Sequence, residues 1–337
     1  MCRPQVAFVR GGAEIFTDKL VAELNARGHD ADLVTIPYQT WPNERLLTSG
    51  LMWRLVDLEV DAEISAELVI ATKYPSYLIQ HSNKVVWLVH QLRQAYELDR
   101  TELGQLDESV FDHSIRQKIQ AMDRVALGDA RKLFATSRNV AERLRQSTGL
   151  EAQVLPHPPQ DLAFRCDSYQ PFVLSVGRLD RRKRIDLLLE AATHEPELEL
   201  VIVGEGPDRE RLEELSAEPH LNGRVRFAGN VPEAALAELY ATCRVVYYAP
   251  IDEDFGMVPF EAFRSGKPVV TTTDSGGPLD IVRDGESGRV TDPHAAAVAA
   301  ALKGLIADEA TARAYGEVGR DAVENVNWDV SIDRLLG

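Results

Sequence analysis

Short apolar segments alternate with helical segments along most of this chain, and this alternation limits the folds open to it more than any other feature. Residues 172–176 form an apolar run that passes through Gly177 into a helical pattern near Ile185. The chain opens in the same way, with an apolar run over residues 5–9 followed by Gly11 and a second helical pattern. Strands that alternate with helices are typical of a doubly wound parallel sheet. The sequence therefore predicts the α/β fold class.

The strand candidates fall into two groups separated by a polar stretch. They are residues 5–9, 31–36, 68–71, 84–89, 132–135 and 152–155, and then residues 172–176, 198–203, 225–228, 244–249 and 269–272. Between the groups, the alternation breaks near His157, and residues 167–170 have the composition of a linker. The 337 residues also exceed the length at which a single core usually keeps growing. We therefore expect two doubly wound parallel-sheet domains, residues 1–166 and 167–317, facing each other across a cleft.

Charge and cysteine content argue against several classes of protein. The formal net charge is −16, whereas binding to a nucleic-acid backbone normally needs a basic face, so no nucleic-acid partner is expected. The three cysteines are far apart and form no Cys-x-x-Cys pair, which argues against a disulfide framework or a cysteine metal site. We find no transmembrane-length apolar stretch and no secretory signal pattern. We expect a cytoplasmic protein without a transmembrane segment; peripheral membrane contact and oligomeric state stay open.

Two carboxylates separated by seven residues stand out in the last third of the chain. Gly256 fits a sharp turn, and Pro259 fits the start of a helix, where proline is favoured. Glu261 would then lie in the first turn of that helix, and Glu253 on the loop before it. Carboxylates accept hydrogen bonds from paired hydroxyls, and the N–H groups of residues 255–257 would donate to other ligand oxygens. The spacing suggests a sugar-nucleotide site. A helix-dipole role for Glu261 and a surface role for the acidic run 252–254 explain it equally well.

Residues 178–184 contain five cationic side chains in an otherwise acidic chain. They lie between a predicted strand and a predicted helix, where backbone N–H groups from Gly177 onward could converge with the cations on a diphosphate. We expect Arg178 and Lys183 to bind the phosphates, since a planar fork and a compact charge can neutralise a departing nucleoside diphosphate without a metal ion. The alternative is a set of solvated cations at an exposed helix start.

Glycine-rich loops follow the next two predicted strands. Gly204 opens one loop, and Asn230 and Val231 lie in the other. No third glycine completes Gly-x-Gly-x-x-Gly at Gly204 or at Gly11, which argues against a nicotinamide enzyme. The loops could instead lie under the base and ribose of a nucleotide, or they could be plain turns.

The first predicted domain has candidates at its own strand ends. Gly11 and Gly12 would let the backbone approach a phosphate or sugar closely, although tight-turn geometry also explains them. His90 ends a predicted strand, where its imidazole could bind a sugar hydroxyl, although a lone histidine there is more often structural. The other acceptor-side candidates are Lys73, Tyr74, Arg93 and Tyr96.

Residues 252–254 also satisfy Asp-x-Asp, a pattern that can hold a divalent metal on nucleotide phosphates. The same pattern recurs at residues 30–32, so its specificity is poor, and other cations are available for the phosphates. We therefore expect no metal ion and no cofactor, with any nucleotide sugar acting as a substrate.

Taken together, these residues resemble glycosyltransferase family 4, the retaining two-domain enzymes with the GT-B fold. The resemblance covers essentially the whole chain and is strongest over residues 172–290. The matching segments occur in family order: Gly177-Arg178-Leu179, Lys183, residues 203–207, residues 227–229, the Glu-x7-Glu pair, residues 275–282 and residues 284–288. The N-terminal half matches more loosely, because residues 38–60 and 94–125 carry no pattern that we can assign.

The resemblance implies a role for each candidate. Arg178 and Lys183 would hold the donor diphosphate, Glu261 the ribose and Glu253 the transferred sugar, with His90 beside the reacting sugar. The catalytic candidates are thus His90, Glu253, Arg178 and Lys183. The donor-binding candidates are Gly12, Gly177, Gly204, Asn230, Val231, Phe255, Gly256, Met257, Val258 and Glu261. Residues 318–337, which include Trp328, would form a terminal helix that crosses back to the first domain.

The implied activity is the retaining transfer of a hexose from a nucleoside-diphosphate sugar to an acceptor hydroxyl, in the biosynthesis of a glycan, glycolipid or glycoside. A UDP-hexose is the expected donor, with GDP-mannose as the alternative, and the acceptor is not specified by the sequence. Two other readings remain open: a sugar-nucleotide epimerase or hydrolase on the same fold, and a non-catalytic binding protein.

Overall fold

The computed structural model describes residues 1–6, 11–59, 65–99, 101, 104–160 and 162–337. Their contacts divide the chain into two compact units. The N-unit consists of Met1–His157 with Trp328–Gly337, and the C-unit consists of Pro158–Asn327. Each unit contains one six-stranded parallel sheet.

The N-unit sheet has the strand order β2-β1-β3-β4-β5-β6. Its strands are β1 (Cys2–Gln5), β2 (Val34–Pro37), β3 (Val69–Lys73), β4 (Lys84–His90), β5 (Lys132–Ala135) and β6 (Gln153–Val154). The helices between them are α1 (Gly12–Ala26), α2 (Glu44–Arg54), α3 (Val110–Gly128) and α4 (Arg138–Thr148). The first observed strand, β1, ends at Gln5, whereas the first predicted strand covers residues 5–9, of which residues 7–9 lie outside the described ranges.

The C-unit sheet has the strand order β12-β11-β10-β7-β8-β9. Its strands are β7 (Gln170–Val176), β8 (Glu199–Val203), β9 (Val225–Gly229), β10 (Cys243–Tyr247), β11 (Val269–Thr272) and β12 (Gly288–Thr291). Its helices are α5 (Ile185–His194), α6 (Arg209–Ser216), α7 (Glu233–Thr242), α8 (Met257–Arg264), α9 (Ala295–Ala307) and α10 (Glu309–Ala322).

Both sheets are buried on both faces, as expected for doubly wound sheets whose crossover helices cover each side. Along β4, Val86 and Leu88 belong to one apolar cluster, whereas Val85 and Trp87 belong to another. Successive strand residues point to opposite faces, so two separate clusters mean that helices pack on each face. The predicted fold class, two doubly wound parallel sheets, is confirmed.

The last helix, α11 (Trp328–Leu336), belongs to the N-unit. The ring of Trp328 stacks on Phe16 with centroids 6.2 Å apart and meets Trp87 edge-on at 6.5 Å. By contrast, α10 packs on the C-unit so closely that a Cβ at Gly316 would lie 1.9 Å from the carbonyl oxygen of Gly266. The segment that returns to the N-unit therefore begins at Trp328 in the structure, not at residue 318.

The first boundary between the two units also differs from the boundary predicted from the sequence. The units divide after His157, whereas the expected boundary follows residue 166. The polar stretch in question is attached to the C-unit: the N–H groups of Asp167 and Ser168 donate to the carbonyl of Ala241 at 2.9 and 3.2 Å. Composition marks this stretch as a linker but does not show which unit it packs against. Among the helices of the described ranges, none has the length and hydropathy needed to cross a membrane.

Candidate active site

The loops that follow β7, β8 and β9 are joined by backbone hydrogen bonds. The N–H of Leu179 donates to the carbonyl of Glu205 at 3.0 Å. The N–H of Gly204 donates to the carbonyl of Gly229 at 2.9 Å. A Cβ at Gly204 would lie 1.9 Å from the carbonyl oxygen of Gly177, so only glycine allows the first two loops to approach this closely. Close packing between loops is thus sufficient to explain this glycine; its predicted contact with a nucleotide stays a prediction.

Lys183 and Glu253, which belong to two separate sequence motifs, are in direct contact in the C-unit. The Lys183 ammonium forms an ion pair with Oε2 of Glu253, and the two side chains are 19% and 21% exposed. Tyr248 completes the cluster: its hydroxyl accepts a hydrogen bond from Lys183 Nζ at 3.2 Å and donates one to Glu253 Oε2 at 3.2 Å. The structure therefore brings together one predicted phosphate ligand and one predicted sugar ligand.

The charge states of this cluster follow from burial and proximity. Burial alone would lower the pKa of the Lys183 ammonium, but the adjacent Tyr248 and Glu253 raise it above its ordinary value. Burial, followed by the charge of Glu253, raises the pKa of the Tyr248 hydroxyl. Near neutral pH the lysine is therefore cationic, and the tyrosine remains a hydrogen-bond donor.

Backbone contacts hold the Glu253 loop against the turn that follows β11. The N–H of Glu253 donates to the carbonyl of Ser275 at 2.9 Å, and the N–H of Gly277 donates to the carbonyl of Glu253 at 2.8 Å. Beside it, both guanidinium NH2 groups of Arg184 bond the carboxylate of Asp274, at 2.7 and 2.9 Å. Arg184, one of the five clustered cations, thus serves the structure of the loop.

The N-terminus of α8 follows this loop directly. Gly256 has a φ of +82°, a conformation that favours glycine, and α8 begins at the next residue, Met257. Phe255 is buried and stacks on Phe260 with ring centroids 4.6 Å apart, while Val258 is 7% exposed. The predicted turn and helix start are both present. Because the side chains of Phe255 and Val258 are buried and apolar, the polar groups of this segment are its backbone N–H groups.

Glu261 is the fifth residue of α8 and so lies in its second turn, not in the first turn as predicted, because the helix already begins at Met257; its side chain is only 6% exposed. Its Oε2 accepts a hydrogen bond from the hydroxyl of Tyr240 at 2.7 Å. Burial raises the pKa of the Glu261 carboxyl, and the Tyr240 hydrogen bond opposes that shift. A buried carboxylate needs hydrogen-bond donors, and ribose hydroxyls would supply them.

Arg178 differs from Lys183 in its surroundings. It is exposed and follows Gly177, whose φ is +148°. Within the described ranges, no side chain forms an ion pair with its guanidinium. Asn230 is likewise exposed and Val231 is half-buried, both at the start of the loop after β9. These side chains are accessible to a ligand of the C-unit.

In the N-unit, the start of α1 is tied to the end of β3. Oε2 of Glu14 accepts a hydrogen bond from the N–H of Gly11 at 3.0 Å, and Oε1 is 2.8 Å from the Lys73 ammonium. Burial would raise the pKa of Glu14, but the hydrogen bond and charge of Lys73 hold it below its usual range. Gly12 is exposed, and a Cβ there would meet nothing within 4 Å. Lys73, expected on the acceptor side, is therefore an ion-pair partner within the N-unit.

His90 is the last residue of β4 and lies beside Lys73 in the sheet register. Its Nδ1 is 2.6 Å from the carbonyl oxygen of Gln91, and the residue is half-buried. The strand end predicted for His90 is therefore observed, at the same sheet edge as the Glu14–Lys73 pair. Its role toward a sugar stays a prediction.

The remaining acceptor-side candidates have internal partners. Tyr74 is 2% exposed, and its hydroxyl donates to the carbonyl of Leu46 at 2.8 Å, so it occupies a core position that does not fit an acceptor contact. Arg93 is bonded to Glu97 at 2.6 Å. The hydroxyl of Tyr96 donates to Oδ2 of Asp123 at 2.8 Å.

Asp123, Tyr240 and Tyr248 had no signal in the sequence analysis. Asp123 lies within residues 94–125, where no pattern was assignable, and it is fully buried. Tyr240 and Tyr248 lie in or next to apolar runs, where tyrosine is an ordinary core residue. The position of Tyr248 near the carboxyl end of a predicted strand is the one feature of the sequence that indicates a place in the site.

The Asp-x-Asp segment is part of the Glu253 loop. Asp252 has a φ of +46°, and its N–H donates to the carbonyl of Asp274 at 2.9 Å. Within the described ranges, no group of three or more His, Cys, Asp or Glu side chains is arranged to hold a metal ion. Metal independence stays a prediction.

Comparisons with known proteins show the family and the fold to which this chain is similar. The family model described as Glycosyl transferases group 1 matches residues 163–322. The chain is 35% identical to a D-inositol 3-phosphate glycosyltransferase of Acidothermus cellulolyticus, over 97% of this chain and 85% of that protein. It is also 35% identical to a GDP-mannose-dependent alpha-mannosyltransferase of Mycolicibacterium smegmatis, over 50% of this chain and 42% of that protein. For several curated relatives, the chain spans less than half of their length.

The fold has solved counterparts. The structure of sucrose-phosphate synthase from Thermosynechococcus elongatus superposes with a TM-score of 0.77 and 24% identity, over 96% of this chain and 92% of that chain. At this level of identity the likeness concerns the fold alone. Since the Acidothermus relative matches at 35% identity over most of both proteins, the chain belongs to glycosyltransferase family 4, within the group 1 glycosyl transferases, and has the GT-B fold.

Proposed function

We propose that this protein is a retaining hexosyltransferase that moves a hexose from a nucleoside-diphosphate sugar to an acceptor hydroxyl. The observation that carries the proposal is the contact between Lys183 and Glu253, which are 70 residues apart in sequence. A cation for phosphate and a carboxylate for hydroxyls meet at the carboxyl edge of the C-unit sheet, where ligands of doubly wound sheets bind.

In the proposed reaction, the bond between the anomeric carbon and the diphosphate oxygen breaks while positive charge develops on the sugar. Arg178 and Lys183 stabilise the negative charge of the leaving diphosphate. Glu253 accepts hydrogen bonds from the sugar hydroxyls, and Glu261 accepts them from the ribose. The acceptor oxygen forms its bond on the face that the leaving group vacates, and its proton passes to the leaving phosphate.

For the donor and the acceptor, we propose chemical classes and not single compounds. A UDP-hexose and GDP-mannose are the two donor candidates, and a relative whose name specifies GDP-mannose supports testing the latter. The relative named for D-inositol 3-phosphate supports including phosphorylated cyclitols among the acceptors. The transfer needs no divalent metal in this scheme, so activity that is lost in excess chelator and restored by manganese would overturn that part.

Lys183→Ala tests the proposal, with Arg182→Ala as the matched control from the same turn. Arg182 has a 40% exposed side chain, and its Nε lies 4.0 Å from Oδ1 of Asp180. Losing one preorganised charge at a leaving group typically costs about 10²–10³ in turnover. We expect a loss of this size for Lys183→Ala and near-normal turnover for Arg182→Ala.

The assay follows release of nucleoside diphosphate from UDP-hexoses and GDP-mannose, with and without sugar, cyclitol phosphate and lipid acceptors. Near-normal turnover of a folded Lys183→Ala protein would reject the role of the cation. Conversion of the donor without any acceptor would instead support an epimerase or hydrolase.

A further inference from the structure

Tyr248 is the third member of the Lys183–Glu253 cluster, and no sequence motif includes it. It follows β10 directly and is 6% exposed. Its backbone N–H donates to the carbonyl of Val270 at 3.0 Å, which fixes it to the neighbouring strand. Its main chain therefore has little freedom to move.

The ring of Tyr248 is confined as well. A Cβ at Gly256 would lie 2.9 Å from its Cε1 atom, so the ring packs directly against that glycine. The Lys183 ammonium lies 5.3 Å from the ring centroid, within range of a cation–π contact. Because the ring is fixed on both sides, the hydroxyl has a defined position relative to Glu253.

The hydrogen bonds of the cluster run in one direction. Lys183 donates to the hydroxyl of Tyr248, and that hydroxyl donates to Oε2 of Glu253, which also accepts directly from Lys183. A bound diphosphate would compete with Glu253 for the Lys183 ammonium, because both are anions. The neutral Tyr248 hydroxyl is not drawn to the phosphates in the same way, so it can keep its bond to Glu253.

We propose that Tyr248 is a positioning residue that keeps Glu253 aligned on the transferred sugar while Lys183 binds the diphosphate. The inference rests on the proposed function and adds a residue to its site. It predicts that loss of the Tyr248 hydroxyl weakens binding of the sugar portion of the donor and spares the nucleoside diphosphate portion.

Tyr248→Phe is the test, and Tyr247→Phe is the matched control. Tyr247 is the preceding residue and is fully buried, but its hydroxyl donates to the carbonyl of Arg184 at 3.1 Å and not to Glu253. Both changes remove one buried hydroxyl from the same segment. Any general effect of that loss on the fold should therefore appear in both variants.

Calorimetry measures the affinities of each variant for UDP and UDP-glucose, and for GDP and GDP-mannose. Hydrogen bonds to charged groups typically contribute enough to change affinity by roughly ten-fold or more. For Tyr248→Phe we expect at least that loss for the nucleotide sugar that the wild type binds, with the matching nucleoside diphosphate within about three-fold of wild type. Tyr247→Phe should leave both affinities unchanged.

Equal affinities of Tyr248→Phe and wild type for the nucleotide sugar would overturn the inference, as would equal losses for both ligands. A partly unfolded variant lowers the binding stoichiometry but not the ratio of the two affinities, and Glu253→Gln supplies a second measurement. Combined with Glu253→Gln, Tyr248→Phe should cost clearly less than it does alone, because the two side chains act together; additive losses would contradict this. If the wild type binds neither nucleotide sugar, the proposed function itself fails, which is a distinct result.

Discussion

Asp123 is a fully buried carboxyl group in the N-unit whose charge state changes near neutral pH. Burial raises its pKa to about 7, although the hydrogen bond that Tyr96 donates to Oδ2 opposes the shift. Tyr96 lies in the segment that follows His90, so Asp123 is bonded to a segment close in sequence to a catalytic candidate. Its effect on stability can be predicted with a sign.

An unfolded aspartate has a pKa of about 3.9, so the folded state holds this proton more tightly. The free energy of unfolding should therefore fall as pH rises from about 4 to about 7 and level off above that. Between about pH 5 and about pH 7, the wild type should lose about 2 kcal/mol relative to Asp123→Asn, as measured by urea unfolding. If both proteins have the same pH dependence, Asp123 does not titrate in this range.

Single residues were predictable where a motif defines them and not where a partner belongs to another element. The spacing of Glu253 and Glu261 indicates a loop and a helix start, and both are present, although Glu261 lies one turn further into the helix than predicted. Spacing does not show that Glu261 is bonded to Tyr240, because that tyrosine belongs to another helix. It also does not show that Tyr74 is a core residue, because tyrosine suits both a core and a binding site.

At the scale of the elements, two glycines differ in the space that a side chain would find around them. Gly204 lies against the carbonyl oxygen of Gly177, whereas a methyl group on Gly12 would meet nothing within 4 Å. Gly204→Ala should therefore lower the free energy of unfolding by about 3 kcal/mol, since the methyl group must displace backbone. Gly12→Ala should keep stability within about 0.5 kcal/mol of wild type.

These two variants separate a structural glycine from one that a ligand requires. If the backbone at Gly12 approaches the donor or acceptor, Gly12→Ala should reduce transfer about ten-fold or more in spite of its normal stability. Urea unfolding and the nucleoside diphosphate assay measure the two effects. A fully active Gly12→Ala protein would remove Gly12 from the site.

Strands were predictable where they consist of short apolar runs. The prediction for β5 and β11 matches at both ends. By contrast, β12 (Gly288–Thr291) was not predicted, since Val290 is its only large apolar residue. Loop contacts such as that of Gly204 with Gly177 depend on two segments distant in sequence, and a local pattern carries no information about them.

At the scale of the whole molecule, the N-unit is built from both ends of the chain. Trp328 is 7% exposed and joins the apolar cluster that contains Phe16 and Trp87. On α11, Arg334 also donates to Gln153 of β6 at 2.8 Å, so the helix is joined to the edge of the sheet. The last ten residues therefore contribute to the stability of the N-unit.

Trp328→Ala should lower the free energy of unfolding of the N-unit by about 3–5 kcal/mol, because it removes a large buried ring. Trp41, with 73% of its surface exposed, provides the control, and Trp41→Ala should change stability by less than about 0.5 kcal/mol. Equal stabilities of the two variants in urea would show that α11 does not stabilise the unit.

We expect the C-unit to bind the diphosphate and ribose of a nucleotide sugar through Arg178 and Lys183 and through the Glu253–Glu261 pair. The most direct test is a crystal structure of the protein with the nucleotide hexose that most raises its unfolding temperature. We expect the diphosphate within hydrogen-bonding distance of Arg178 and Lys183, with the ribose on Glu261 and the sugar hydroxyls on Glu253. A nucleotide sugar whose diphosphate touches neither cation would contradict it.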